Sequence, residues 1–153
     1  MNVLIVYETK FGNTKKVAET IAEGIRETEQ IKTEIVYVND IEYSKIKDFD
    51  AIIIGSPNWG GSYAGSIKKF INELAGLLLS EKYYAVFDTN NALPILNKAF
   101  KKLEKKIGKK IPSFKKILPG LPVKVIGLKG PIAEGELPKC KNFGKEIALN
   151  LQK

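Results

Sequence analysis

Residues 3–25, VLIVYETKFGNTKKVAETIAEGI, restrict the possible folds more than any other stretch of the chain. Val3 to Val6 is an unbroken apolar run, rich in β-branched residues and too short for a buried helix. Such a run fits a strand covered on both faces. It gives way at Tyr7-Glu8-Thr9-Lys10-Phe11-Gly12-Asn13 to a turn of small and polar residues. From Thr14 onward Val17, Ala18, Ile21, Ala22 and Ile25 recur at helical spacing. Strand, polar turn and helix in that order put free backbone N–H groups and a helix N-terminus at the sheet's carboxyl edge, a place that suits a phosphate. An ordinary cap, with Asn13 or Thr14 as N-cap, accounts for the same residues equally well.

The alternation continues along the chain. Thr33 to Val38 reads as a second strand, followed by a polar segment with a short helix near Tyr43 to Lys47. Ala51 to Ile54 is a third strand of the fully buried type, ended by Gly55-Ser56-Pro57. A helix starting at Gly65 or Ser66 carries Ile67, Phe70, Ile71, Leu74 and Leu78 on one face. Tyr83 to Phe87 gives a fourth strand. Pro94 suits the first turn of the next helix, carried by Ile95, Leu96, Ala99, Leu103 and Ile107. Ile111 to Leu121, with Pro112, Pro119 and Gly120, reads as a connection, Val123 to Leu128 as a fifth strand, and Gly135 or Leu137 to Leu151 as a last helix. Strands separated by helices argue for a parallel sheet with helices on both faces. With 153 residues, no repeat and no linker, one domain is expected. No stretch approaches the ~20 apolar residues of a membrane helix. The first strand begins at residue 3, which leaves no room for a targeting peptide, so a cytoplasmic location is expected.

Absences narrow the chemistry. Without histidine, triads with a His base and His-ligated metal sites are excluded. The single cysteine, Cys140, cannot form an internal disulfide and reads as an ordinary helix residue. Demanding chemistry here would need a bound cofactor. The charge is uneven: residues 1–80 carry net −2 and residues 81–153 net +10. Lys98, Lys101, Lys102, Lys105, Lys106, Lys109 and Lys110 supply much of the excess, alternating with Leu103 and Ile107 as a solvated helix face would. An acidic protein partner is the next reading of this run. Nucleic acid comes last, because no arginine and few aromatics lie among the lysines.

Ligands of such sheets bind beyond the strands' carboxyl ends, so the loops after strands one, three and four are the candidates. In the first, Thr9, Asn13 and Thr14 offer side-chain donors, Gly12 admits close backbone approach and Lys10 adds positive charge. Neither G-x-G-x-x-G nor G-x-x-x-x-G-K-[ST] is present. The second, Gly55-Ser56-Pro57-Asn58-Trp59-Gly60-Gly61-Ser62-Tyr63, sets the only tryptophan among glycines. An indole there can stack on a flat ring while Ser56, Asn58 and the backbone bond its edge; a Trp folded back on the protein is the alternative. The third, Asp88-Thr89-Asn90-Asn91, is polar throughout.

Ile5 to Ile21, IVYETKFGNTKKVAETI, resembles the flavodoxin signature at each of its defining positions, and Gly55-Ser56-Pro57-Asn58-Trp59-Gly60 resembles the family's second flavin loop. Element order and length match along essentially the whole chain. The segment Gly130 to Leu137 is more similar to a subgroup of small archaeal and bacterial flavodoxin-domain proteins. The resemblance implies an α/β, flavodoxin-like three-layer sandwich, with a five-stranded parallel sheet of order 2-1-3-4-5 and helices on both faces. It implies FMN as cofactor. Thr9, Lys10, Gly12, Asn13 and Thr14 would wrap the phosphate, with Phe11 contributing its backbone N–H. Ser56, Pro57, Asn58, Trp59 and Gly60 would border the isoalloxazine, with Trp59 stacked on one face and Gly60 free to turn its carbonyl toward the reduced ring. Asp88, Thr89, Asn90 and Asn91 would form the third flavin loop. That loop lacks the aromatic found in many flavodoxins, and the chain is basic where well-studied flavodoxins are acidic.

The implied function is an FMN electron carrier serving redox partner proteins, with acidic ones as candidates for the Lys-rich C-terminal half. A small FMN-dependent NAD(P)H or quinone oxidoreductase is the alternative. A phosphorylation-dependent receiver domain would need clustered carboxylates after strands one and three, where this chain has Glu8 alone and Ser56-Pro57-Asn58. A binding module without FMN is the last alternative.

Overall fold

A computed structural model describes residues 1–91 and 98–153. The sheet order starts from β1 (Asn2–Tyr7), which lies between β2 (Lys32–Tyr37) and β3 (Ala51–Pro57), all parallel. β4 (Tyr83–Asn90) follows β3, again in parallel. The next position is shared by two short strands, β5 (Lys115–Lys116) on Tyr83 and Tyr84, and β6 (Leu121–Lys124) on Phe87 to Asn90. The order is therefore 2-1-3-4-5 with a sixth strand completing the far edge.

That edge corrects two expectations. The segment expected as a connection contains β5, and the fifth strand expected over Val123 to Leu128 ends at Lys124. Pro119 has no N–H for a ladder. Gly120 lies so close to β4 that a Cβ would sit 2.7 Å from Val86 Cγ2, and the ladder is interrupted between β5 and β6. A pair of exposed lysines at an edge carries no apolar alternation, which is why β5 is silent in the sequence.

Both faces of the sheet are covered, as the apolar strand runs require. Val3, Ile5 and Tyr7 of β1 face α1 (Asn13–Arg26) and α4 (Glu136–Leu151), packing with Val17, Ile21, Phe143 and Ile147. Leu4 and Val6 face the other layer, with Ile67, Phe70 and Ile71 of α2 (Gly65–Gly76) and Leu103 and Ile107 of α3 (Ala99–Lys110). All seven residues of β3, the middle strand, are buried. Cys140 is an ordinary buried residue of α4, with burial pushing its thiol up to about 12. Where α1 and α4 cross, Gly24 and Gly144 let the backbones touch: a Cβ on Gly24 would lie 2.0 Å from the Lys141 carbonyl oxygen, and one on Gly144 2.1 Å from that of Ile21.

Leu78 does not belong to the apolar face of α2. The helix ends at Gly76, and Leu78 turns to φ 50° and is exposed. The short helix expected near residue 43 is a 3-10 helix, Tyr43–Asp48, which buries Ile46. Pro94, Ile95 and Leu96, expected in the first turn of the third helix, lie outside the described residues. On α3, Leu103 and Ile107 are buried while Lys101, Lys102, Lys105, Lys109 and Lys110 are exposed, so the lysine run is the solvated face of an amphipathic helix. Among the described residues, no helix is long and apolar enough to cross a membrane.

Candidate functional site

The strand order reverses between β1 and β3, and a crevice forms there at the carboxyl edge. Tyr7, the last residue of β1, is level with Gly55 of β3 and Phe87 of β4. β3 continues to Pro57 and β4 to Asn90, so β1 stops short and leaves a step over which the first loop turns. Gly55 is required where these strands meet: a Cβ there would overlap the Phe87 ring, 2.0 Å from Cζ.

Glu8 anchors the first loop. Although buried, its carboxylate is fully engaged: Oε1 accepts from the Thr9 N–H and the Tyr37 hydroxyl, each at 3.0 Å, and Oε2 from the Ser66 hydroxyl. One side chain thus ties the end of β1 to β2 and to the start of α2. The bond to Glu8 raises the Tyr37 pKa, with burial adding to it. Sequence reasoning missed this role; the available signal was a carboxylate directly following a buried strand. Beyond it, the Gly12 N–H donates to Thr9 Oγ1 at 2.9 Å, and Gly12 takes φ 92° as the N-cap of α1. A left-handed residue at this point favours glycine. Gly12 is the N-cap and, among the described residues, no side chain caps α1, so the ordinary-cap reading, with Asn13 or Thr14 as N-cap, does not describe this loop. Thr14 is buried, its hydroxyl 2.8 Å from that of Thr89.

The second loop is a tight hairpin. Trp59 and Ser62 exchange backbone hydrogen bonds around Gly60 (φ 65°) and Gly61 (φ 87°), the positive-φ pair of a type I′ turn. The Gly61 N–H donates to Asn58 Oδ1 at 2.7 Å. The Ser56 hydroxyl, fully buried, accepts from the Ala64 N–H and donates to the Pro57 carbonyl, which closes the loop at its base. With its backbone fixed in this way, Trp59 remains 48% exposed.

The third loop is shorter than expected, because Asp88, Thr89 and Asn90 are buried residues of β4 rather than loop residues. Asp88 turns its carboxylate inward, accepting from the Asn90 side chain at 2.8 Å and from the Phe100 N–H of α3 at 3.0 Å. Burial outweighs these bonds and pushes its pKa up to about 6.

Lys10, Phe11, Asn13, Pro57, Asn58, Trp59, Thr89, Asn90 and Asn91 line one cleft, together with Val125 and Leu128. Thr9, Gly12, Thr14, Ser56, Gly60 and Asp88 lie outside that lining and shape the loops from behind or beside it. Val125 and Leu128 were not anticipated: the segment after β6 reads as strand in the sequence, whereas it turns back over the site. The cleft is small, enclosing about 170 Å³, less than a pocket that engulfs its ligand. Lys10, held 5.5 Å from the Phe11 ring centroid, is the only charged side chain among the described lining residues.

A family model described as a flavodoxin domain matches residues 4–127. The chain belongs to the flavodoxin family. It is 34% identical to a flavodoxin of Aquifex aeolicus over 79 residues, covering 52% of this chain and 43% of that protein. To an NAD(P)H dehydrogenase (quinone) of Archaeoglobus fulgidus it is 31% identical over 121 residues, 60% of this chain and 62% of the other. The solved structure of a flavodoxin from the domain Archaea superposes over the full length of both chains, with a TM-score of 0.84 at 23% identity, a likeness of fold. The chain spans about half the length of the curated relatives it matches.

The cofactor of this flavodoxin domain is FMN, and the loops fit it. Among the described residues, no side chain caps α1, whose N-terminus follows a left-handed glycine, and none comes within 4 Å of where a Cβ of Gly12 would project. These are conditions for an anion against backbone N–H groups. The one charged group among the described lining residues is a cation, and a half-exposed indole stands on the same cleft.

Proposed function

We propose that residues 1–153 form a single FMN-binding domain that carries one or two electrons between redox partners. The observation carrying this reading is the small cleft, where the N-terminus of α1, with no cap among the described side chains, meets the half-exposed Trp59. A cleft this small can hold a phosphate and one part of a flat ring while leaving an edge of the ring accessible, as electron transfer to a docked protein requires. The first turn of α1, with Thr9, Gly12, Thr14 and Lys10, would bind the phosphate; Trp59 would orient the ring, flanked by Pro57, Asn58 and Asn91. Gly60, where an added Cβ would meet none of the described residues, lets the peptide after Trp59 turn at low cost. FMN supplies the redox chemistry, so no side chain of the cleft need act as an acid or base.

A second reading, a small FMN-dependent NAD(P)H or quinone oxidoreductase, is favoured by the likeness to the Archaeoglobus fulgidus NAD(P)H dehydrogenase (quinone). The cleft would then also admit a substrate. Acidic redox partners suit the exposed lysines of α3, and a cytoplasmic location goes with either reading.

Incubation with FMN tests the proposal. Purified protein should turn yellow, absorbing near ~450 nm, and quench the flavin's fluorescence; protein that takes up no FMN refutes it. Rapid bleaching by NADH or NADPH alone, with turnover on a quinone, would select the enzyme over the carrier. If α3 docks an acidic partner, reduction by that partner should slow as salt rises, and a salt-independent rate would remove the docking claim.

A further inference from the structure

Beyond β6 the chain folds back on itself and stays at the site. Val125 and Ile132 form an antiparallel bridge, the Ile126 N–H donates to the Pro131 carbonyl at 2.8 Å, and the Ala133 N–H donates to that of Lys124 at 2.9 Å. This hairpin is fixed from two sides. At its base, the Val125 N–H donates to the carbonyl of Asn90, the last residue of β4. At its tip, Asn13 Nδ2 of the first loop donates to the Lys129 carbonyl at 3.1 Å. Gly130, at φ 90°, lies against the same amide so closely that a Cβ would come 2.5 Å from Asn13 Oδ1.

The pinned hairpin presents Val125 and Leu128 to the cleft. Val125 is buried beneath it, but Leu128 is 72% exposed. Leu78, 90% exposed just past the end of α2, is not among the described residues that line the cleft. Leu128 instead lines the cleft that also holds Trp59, on backbone tied down one residue away by Asn13. An apolar side chain held at the mouth of a cleft gains its stabilisation only when something apolar covers it.

We infer that Leu128, backed by Val125, is a ring-binding residue: hairpin 125–132 supplies an aliphatic wall for the isoalloxazine, in addition to Trp59. This deepens the FMN reading of the cleft and rests on it. Asn13 then has a double part. It sits at the start of α1, among the groups proposed for the phosphate, and its amide sets the position of the wall that meets the ring. The phosphate end and the ring end of the site are joined through one side chain.

The experiment is a titration of FMN and of riboflavin, which has the ring without the phosphate, by fluorescence quenching. The proteins are the native sequence, Leu128→Ser, Leu128→Tyr and, as a control at an equally exposed leucine away from the cleft, Leu78→Ser. Leu128→Ser should raise Kd about tenfold for both flavins, the effect of uncovering part of one leucine side chain. Leu128→Tyr, which restores an apolar surface, should bind both at least as tightly as the native protein, and Leu78→Ser should match it. Unchanged Kd values for Leu128→Ser overturn the inference. A loss for FMN alone also overturns it, because the effect would then run through Asn13 to the phosphate loop and not through the ring. Native protein that binds neither flavin defeats the FMN reading itself, a failure distinct from that of Leu128.

Discussion

Replacing Asp88 by asparagine should change the pH dependence of stability more than any other single substitution near the site. The carboxyl is fully buried at the end of β4 and has a pKa of about 6 against an ordinary 3.8. Burial is the cause, opposed by bonds from the Asn90 side chain and the Phe100 and Val123 N–H groups. Between those two values the folded protein keeps a proton that the unfolded chain has released. Stability at this group is therefore undiminished below pH ~4, falls as pH rises through the window, and is lowest above pH ~6. At about 1.36 kcal/mol per pH unit, the displacement from 3.8 to about 6 amounts to about 3 kcal/mol. Asparagine can still accept from the Phe100 N–H but carries no charge to desolvate. Urea unfolding of both apoproteins at intervals from pH 4 to pH 7 gives the difference in stability at each pH. Any fixed cost of the altered hydrogen bonds shifts that difference by a constant, so its slope isolates the titration. The variant should gain about 3 kcal/mol relative to the native protein across the window. A difference that stays flat would show that Asp88 titrates alike in both states and would refute the account of its burial.

Trp59→Ala should weaken FMN binding by about 1–3 kcal/mol, the worth of a stacked aromatic contact, while the urea midpoint of the apoprotein stays near the native value; an unchanged Kd removes the stacking claim. Gly12→Ala meets none of the described residues but must hold φ 92°, at a cost of about 1–2 kcal/mol. It should therefore lower the stability of the apoprotein by that amount, read by urea melts, in a protein that still unfolds cooperatively. Gly144→Ala drives a methyl into the Ile21 carbonyl where α1 and α4 cross, and should lower stability by about 1–3 kcal/mol in urea melts without altering the FMN affinity of the folded protein.

Much of this protein was legible in the residues. The β-branched runs at Val3 to Val6 and Ala51 to Ile54 are strands because a strand buried on both faces needs apolar side chains at successive positions, and the structure places both in the middle of the sheet. The 3.6-residue repeats of Val17, Ile21 and Ile25 and of Ile67, Phe70 and Leu74 marked the buried faces of α1 and α2, since a helix must turn one stripe inward. The loop from Thr9 to Thr14 and the glycines around Trp59 stood out because turns with positive φ restrict residue type locally. Such features are set by neighbours in sequence.

What the sequence could not give depends on residues far apart along it. Glu8 gains its place as a clamp only when Tyr37 and Ser66 arrive beside it. Asp88 reads as a polar loop residue until β4 extends to include it and buries it against α3. Gly24 and Gly144 become necessary only because two helices 120 residues apart touch there. Leu128 reads as the end of a strand, and the break at Pro119 and Gly120, the short β6 and the amide of Asn13 together turn it onto the cleft. Local pattern fixed the elements because propensity and periodicity act over a few residues. Tertiary packing decided the clamp, the buried acid and the second apolar wall, because burial and close approach are properties of what the folded chain brings together.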